Sequence, residues 1–154
     1  MTHPPHVLLV EAPYYAHLAA LLREGAERAI ATAGATCEIV SVPGAFEIPP
    51  AIALVAKAAP GKFDGFVALG CVIRGQTTHY DHICAETARS LQDLAVRDGL
   101  AIGYGILTCE NEAQALVRAT PAERSNAGRD KGGEATRACL ALIELKRRFL
   151  EDRR

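Results

Sequence analysis

The sequence predicts a single α/β domain, a three-layer α/β/α sandwich built on a four-stranded parallel sheet. Short apolar runs rich in β-branched residues alternate with longer segments whose apolar residues recur every three or four positions. The chain is 49% hydrophobic and 23% charged, as expected for one globular domain that fills residues 1–154. Strands that alternate with helices are joined by right-handed crossovers, which place helices on both faces of a parallel sheet.

The first half of the chain predicts two strands, each followed by a helix. The apolar run VLLV predicts the first strand, and the helical spacing after it ends at Gly34, a typical C-cap residue. TCEIVSV is rich in β-branched residues and predicts the second strand. Pro49 and Pro50 fit the first turn of the next helix, because amides there have no partners within the helix. The predicted ranges are 6–12 and 36–42 for the strands and 18–30 and 49–60 for the helices.

The second half repeats this alternation and ends in two helices. FDGFVALGCVI and LAIGYGILT predict the third and fourth strands, over residues 63–73 and 100–108. The helix between them is predicted to end before Gly99. Its predicted core face consists of Ala88, Leu91, Leu94 and Ala95. The predicted helical ranges are 79–97, 112–119 and 133–151, the last two separated by the polar segment TPAERSNAGRDKGG.

The composition argues against several classes of protein. Seventeen basic and eighteen acidic residues leave a formal net charge of -1, which argues against a nucleic-acid-binding surface. Neither a leader pattern nor a long apolar run is visible, so the sequence predicts a cytoplasmic protein that does not contact membranes. The five cysteines are widely spaced, so they predict reduced core thiols rather than a disulfide framework or a Cys-x-x-Cys metal site.

The segment Gly75-Gln76-Thr77-Thr78-His79 follows the third strand, at the sheet edge where parallel sheets bind ligands. It combines a flexible glycine, two hydroxyls and a helix start, which are the features of an anion site made from backbone amides and a positive helix end. The segment therefore predicts a phosphate site. A simpler interpretation, in which Thr77 or Thr78 is only the N-cap of the helix, fits equally well.

His79 is the candidate acid/base residue, because an imidazole accepts and returns a proton near neutral pH. The sequence HYDH also places His79 and His82 one helical turn apart with Asp81 between them, which would suit two metal ligands. No third and fourth ligands follow at a known spacing, so the sequence predicts no metal site.

Five other residues are candidate ligand contacts. Glu47 is an acid in an apolar setting; it suits binding to hydroxyls, or it is a helix N-terminal carboxylate stabilised by the dipole. Tyr14 and Tyr104 can stack on a flat heterocycle or simply pack in place. Arg118 and Lys131 can face an anion, although a surface cation is the commoner case. From the residues alone, the prediction stops at a parallel α/β domain that binds a phosphorylated, ring-containing ligand.

Two long segments resemble the lumazine synthase family: VPGAFEIP at residues 42–49 and LGCVIRGQTTHYDHIC at residues 69–84. The resemblance runs over nearly the whole chain. It implies a flavodoxin-like sheet and an enzyme that condenses 5-amino-6-(D-ribitylamino)uracil with 3,4-dihydroxy-2-butanone 4-phosphate to give 6,7-dimethyl-8-ribityllumazine. Because positioning two small-molecule substrates and moving protons suffice for this reaction, the resemblance implies no cofactor.

The resemblance also assigns roles to individual residues. It makes His79 the proton donor and Tyr14 the ring that stacks on the pyrimidine. Gln76 and Thr77 would hold the ketose phosphate. The ribityl chain would be lined by Ala45, Phe46 and Glu47, and the pocket floor, which offers backbone groups to the pyrimidinedione, would consist of Cys71, Val72 and Ile73.

In the family, the sites lie between subunits of a homopentamer. Tyr104 and Arg118 match residues that reach into the neighbour's site, and Lys131 and Glu134 match the start of the last helix, where Asp130 replaces an asparagine. Some members stack pentamers into hollow shells by using a short turn between the last two helices. Because that turn is lengthened here, we expect an isolated pentamer or a pentamer pair.

Two other functions stay open on the sequence. An archaeal-type riboflavin synthase shares the fold, although the GQTTHYDH segment disfavours it. A lumazine- or flavin-binding protein without turnover would keep the pocket. Tyr14 and Gln76, where many family members have phenylalanine and a smaller residue, are compatible with it.

Overall fold

The computed structural model describes residues 3–153, in which four parallel strands and five α-helices alternate along the chain. This confirms the predicted α/β sandwich. The strands are β1 (His6–Glu11), β2 (Thr36–Ser41), β3 (Gly65–Ile73) and β4 (Ile102–Cys109). The helices are α1 (Ala16–Thr32), α2 (Ile48–Ala58), α3 (His79–Asp98), α4 (Glu112–Ala119) and α5 (Lys131–Glu151).

Helices cover both faces of the sheet. Helices α1, α4 and α5 pack on one face through a core that includes Val7 and Leu9 of β1. Helices α2 and α3 pack on the other face, where the alternate residues Leu8 and Val10 are buried. Because both faces of β1 are covered, its sequence is a continuous apolar run rather than an alternating one.

The strand order is β2-β1-β3-β4, so the chain reverses its direction of travel across the sheet after β2. The connections that leave β1 and β3 therefore run over opposite faces of the sheet. In open parallel sheets this divergence leaves a crevice at the carboxyl ends of the two strands. The residues after Glu11 of β1 and after Ile73 of β3 lie at that position.

Several element boundaries differ from the prediction. Strands β3 and β4 begin at Gly65 and Ile102, two residues later than predicted, because Phe63 and Leu100 are apolar residues that precede the β3–β4 register. A 3-10 helix at Ala45–Glu47, which the sequence did not predict, precedes α2.

Helix α5 begins at Lys131 rather than at Gly133. Asp130 is its N-cap, in the left-handed region at φ 48°, and its Oδ1 accepts a hydrogen bond from the Gly133 N–H at 3.2 Å. The aspartate therefore caps the helix from a backbone conformation that asparagine and aspartate tolerate better than most residues.

The core-facing side of α3 was only partly predicted. Leu91 is buried as expected, whereas Ala88, Leu94 and Ala95 are only half-buried, and Thr87 is buried although it was not predicted. Gly34 and Gly99 lie just after the ends of α1 and α3, as the sequence indicated, and both have positive φ.

The prediction that the cysteines are core thiols is confirmed for Cys109 and Cys139, which are buried. Cys37, Cys71 and Cys84 are only half-buried, and all five cysteines are free. In the part of the chain that the structure describes, no helix combines the length and the apolar character needed to cross a membrane.

Helices α1 and α5 approach each other so closely that only glycine fits at their contact. A Cβ added to Gly132 would lie 2.1 Å from the Leu22 carbonyl oxygen. We predict that Gly132→Ala lowers the free energy of unfolding by roughly 1–3 kcal/mol, because the two backbones must separate to admit the methyl group. Urea unfolding at a fixed protein concentration measures this change.

Gly75→Ala is the matched control, because nothing lies within 4 Å of the position of its added Cβ. A Gly132→Ala protein as stable as the Gly75→Ala protein would contradict the close helix contact.

Candidate functional site

A cleft of about 750 Å³ opens at the carboxyl ends of β1 and β3, where the chain leaves the two strands over opposite faces. Its walls come from four segments of the chain: the turn after β1, the turn after β2, the end of β3, and the loop that leads into α3. The predicted site residues that line it are Tyr14, Ala45, Phe46, Glu47, Cys71, Val72, Ile73, Thr77 and His79.

The turn after β1 supplies an aromatic wall. The Tyr14 side chain is 75% exposed, so its ring is not a packing residue of this chain's core. Its ring stands edge-on to that of Tyr15, with centroids 5.0 Å apart and planes at 75°. The exposed face of Tyr14 is therefore available to a flat ligand.

The turn after β2 supplies the opposite wall. Gly44 is extended, and the following 3-10 helix turns Phe46 outward, 54% exposed, while Ala45 is buried. The Glu47 N–H donates to the Gly44 carbonyl at 3.1 Å. Glu47 is the N-cap residue of α2, yet its side chain makes no capping hydrogen bond. Its carboxylate lines the cleft and is not used in a capping hydrogen bond, so it is available to a ligand, while its place at the start of α2 also suits the helix dipole.

The floor of the cleft is the last part of β3. Pairing between β1 and β3 ends at Glu11 and Leu69, and the Ala12 N–H donates the last bond to the Leu69 carbonyl at 2.9 Å. Pairing with β4 continues up to Ile73. Within residues 3–153, the backbone edge of residues 71–73 that faces β1 thus has no strand partner, so main-chain donors and acceptors point into the cleft.

The thiol of Cys71 belongs to this floor and is not reactive. Burial raises its pKa to about 12, with a further contribution from the neighbouring thiol of Cys109. A thiol with so high a pKa stays protonated at neutral pH, so Cys71 serves as an apolar wall rather than as a nucleophile.

The loop into α3 supplies the polar end of the cleft. Gly75, Thr77 and His79 line the cleft, and His79 is the exposed first residue of the helix. The Thr77 Oγ1 accepts from the His79 N–H at 3.3 Å, whereas Thr78, the N-cap residue, makes no side-chain capping bond. The Asp81 N–H donates to the Thr78 carbonyl at 3.0 Å, which leaves the amides of Thr78 and Tyr80, within the described chain, free for an anion.

Gln76 is exposed but does not line the cleft. Tyr15 also lines the cleft, next to Tyr14 at the end of the first strand. Three further lining residues, Pro43, Tyr80 and Ile83, were missed by the sequence analysis. Pro43 adjoins predicted cleft residues, and Ile83 lies one helical turn after both His79 and Tyr80, a spacing that could have indicated it.

The remaining predicted residues lie away from this cleft in the same chain. Tyr104, 45% exposed on β4, borders a groove along α3 with Leu91. Arg118 is half-buried at the end of α4 and donates to the Gln114 carbonyl at 3.0 Å. Lys131 donates to both carboxylate oxygens of Glu134 at 3.0 Å on the first turn of α5. A single chain therefore does not bring the whole predicted set together.

The HYDH segment carries side chains of the types that bind metals. Among residues 3–153, no group of three or more histidine, cysteine, aspartate or glutamate side chains has the arrangement of a metal site.

Comparison with known proteins identifies relatives of the chain. Residues 4–147 match the sequence profile of the family described as 6,7-dimethyl-8-ribityllumazine synthase. The chain is 52% identical over 149 residues to "6,7-dimethyl-8-ribityllumazine synthase 1" of Rhizobium meliloti, covering 95% of this chain and 94% of the relative. It is 50% identical over 148 residues to the 6,7-dimethyl-8-ribityllumazine synthase of Agrobacterium fabrum, covering 94% and 97% of the two chains.

The protonated state of Cys71 can be tested by alkylation. We predict that iodoacetamide at pH 8 modifies Cys71 of the folded protein roughly a thousand times more slowly than an ordinary thiol, because the raised pKa lowers the thiolate fraction by that factor. Mass spectrometry of the peptide measures the rate, and the same protein in urea is the control. Equal rates in the two states would contradict the assignment of Cys71 as an inert wall.

Proposed function

The chain belongs to the 6,7-dimethyl-8-ribityllumazine synthase family, and on that premise we propose that it catalyses the reaction for which the family is named. The substrates are 5-amino-6-(D-ribitylamino)uracil and 3,4-dihydroxy-2-butanone 4-phosphate. The products are 6,7-dimethyl-8-ribityllumazine, phosphate and water, in the penultimate step of riboflavin biosynthesis. The proposal requires no metal and no cofactor, and it places the enzyme in the cytoplasm.

The observation that carries the proposal is the composition of the cleft along its length. One end offers an exposed tyrosine ring and a free backbone edge, which suit a flat pyrimidinedione with alternating donors and acceptors. The other end offers uncapped amides at the start of α3, which suit a phosphate. His79 lies at this second end and lines the same cleft.

At the first end, the pyrimidine ring would stack on Tyr14 and pair with the main chain of residues 71–73. The ribityl chain would run along Ala45, Phe46 and Glu47, where the half-buried carboxylate of Glu47 accepts hydrogen bonds from hydroxyls. This arrangement directs the substrate's amine toward α3.

At the second end, Thr77 and the backbone amides of the loop would hold the ketose phosphate, with Gln76 on the outer side of the loop. The amine adds to the ketone carbon, and loss of water forms an imine. Transfer of a proton from carbon then allows the phosphate to leave, and closure of the ring releases a second water. His79 would move protons in these steps, while positioning of the two reactants supplies much of the acceleration.

The cleft of one subunit is incomplete, which supports a site shared between subunits. We assign Tyr104, Arg118, Lys131 and Glu134 to the cleft of a neighbour, since all four lie outside the cleft of their own chain. Arg118 would supply the phosphate with a cation that the described cleft of one subunit lacks. The proposed assembly is a homopentamer or a pentamer pair.

The segment between α4 and α5 bears on the size of the assembly. Residues 120–130 fold into two turns, closed by bonds from Arg124 N–H to Pro121 O at 3.0 Å and from Gly128 N–H to Ser125 O at 2.9 Å. Arg124 then ties the segment to Glu24 of α1 through two 2.7 Å bonds. A lengthened segment held in this way would obstruct close packing of pentamers around it.

Replacement of His79 tests the proposed chemistry. Purified protein mixed with both substrates should form the lumazine chromophore, and His79→Ala should lower kcat roughly 10- to 100-fold, because general acid/base catalysis is lost while positioning remains. His82→Ala is the matched control, since His82 is exposed on the same helix but does not line the cleft. Tight flavin binding without turnover by the unaltered protein would instead indicate a carrier.

Mixing of variants tests the shared site. His79→Ala and Arg118→Ala subunits should each keep at most about a tenth of the normal activity alone, yet subunits unfolded together and reassembled at equal amounts should recover about a quarter of it, the random fraction of sites that pair two intact contributions. Chromophore formation measures the recovery, and sedimentation of the same sample measures the assembly. No recovery would contradict a shared site, and a sixty-subunit particle would contradict a pentamer or pentamer pair.

A further inference from the structure

Arg74 occupies the junction between the sheet and the loop at the polar end of the cleft. It follows the last residue of β3, and its N–H donates to the Cys109 carbonyl at 2.9 Å, which extends the β3–β4 ladder by one residue. Gly75, the next residue, already lines the cleft. The backbone of Arg74 is therefore the last part of this segment that the sheet holds.

The side chain of Arg74 is engaged on three sides. Its Nε donates to Glu110 Oε2 at 2.8 Å, directly after β4. Its Nη1 lies 3.2 and 3.3 Å from the two carboxylate oxygens of Asp81, in the first turn of α3. Its guanidinium carbon stands 4.3 Å from the centre of the Tyr80 ring. A planar guanidinium can make two directed ion pairs and a stacking contact at once, which an ammonium group does not.

These contacts argue against Arg74 as a direct phosphate ligand. An arginine beside an anion loop would ordinarily be the first candidate for that role. Here its donors are directed to two carboxylates, so its positive charge is offset by Glu110 and Asp81 before any ligand arrives. The side chain instead joins three separate parts of the fold.

We propose that Arg74 is a positioning residue, which fixes the loop of residues 75–78 and the first turn of α3 against the end of β4. Tyr80 and Asp81 follow His79 directly, so holding them sets the direction of the His79 side chain and of the free amides beside it. This role rests on the proposed function, because the geometry that Arg74 fixes is that of the phosphate end of the cleft.

The loop depends on this link because its other hydrogen bonds are local. The Thr77 Oγ1 accepts from the His79 N–H and the Thr78 carbonyl accepts from the Asp81 N–H, so these bonds join the loop only to the first turn of α3. Displacement of reacting groups by about 1 Å costs on the order of 10²-fold in rate. A clamp made of exposed groups can therefore matter for catalysis even where it adds little to stability.

The test compares Arg74→Ala, Arg74→Lys and Glu110→Ala with the unaltered enzyme, and measures kcat and the two KM values separately. All three variants should raise the KM for the ketose phosphate and lower kcat, each by roughly 10-fold, while the KM for the pyrimidine changes less than about 2-fold. Lysine at position 74 should not restore these values, because it keeps the positive charge but lacks the planar guanidinium that bonds both carboxylates. Arg89→Ala, which removes an exposed ion-paired arginine elsewhere on α3, should leave all three values unchanged.

Glu110→Ala separates the clamp from direct phosphate binding. If Arg74 bound the phosphate, removing Glu110 would free the guanidinium and lower the KM for the ketose phosphate, and Lys would rescue in part. Either result, or unchanged kinetics in Arg74→Ala, would overturn the proposal. Circular dichroism of each variant checks that it is folded. Because Glu110→Ala keeps Arg74 itself, its effect reports on the ion pair rather than on loss of the arginine. Absence of turnover in the unaltered protein would instead refute the proposed function.

Discussion

The difference in length between two neighbouring strands determines most of what this fold can bind. β1 stops pairing at Glu11, whereas β3 continues to Ile73 beside β4. The protruding part of β3 has one edge bonded and one edge open, and the chain turns away from the two strands over opposite faces of the sheet. A cleft results whose floor is main chain, and its walls are the turns that happen to start there. This difference in strand length sets the positions of the Tyr14–Tyr15 pair, the turn at Glu47 and the start of α3.

The fold could be predicted from the sequence because the spacing of apolar residues along the chain reflects which faces of each strand or helix are buried. VLLV is apolar at every position since both of its faces are covered, and the helices show a stripe since only one face is. The exact starts of β3 and β4 could not be predicted, because Phe63 and Leu100 are as apolar as the strand residues after them. The 3-10 helix at Ala45–Glu47 is a local twist of a turn that leaves no periodic signal.

The site was predictable where it depends on strand ends and not where it depends on long-range pairing. Glu47 and His79 lie in the connections that leave β2 and β3, so the parallel-sheet rule was enough to select them as candidates. Arg74 meets Glu110 only because β3 and β4 are adjacent, and no spacing in the sequence connects residues 36 apart. Tyr104 and Arg118 are a third case, since their proposed partners belong to another copy of the chain.

The glycine contact between α1 and α5 has a mechanical consequence for such an assembly. α1 begins directly after Tyr15, and α5 begins with Lys131, one residue before the glycine that touches the Leu22 carbonyl. With no side chain between the two backbones, α1 and α5 lie at a close spacing that any larger residue at position 132 would have to widen. In the proposed shared site, the ring that precedes α1 and the charged first turn of α5 would therefore keep a fixed separation within each subunit, and a change at this contact would disturb two neighbouring clefts at once.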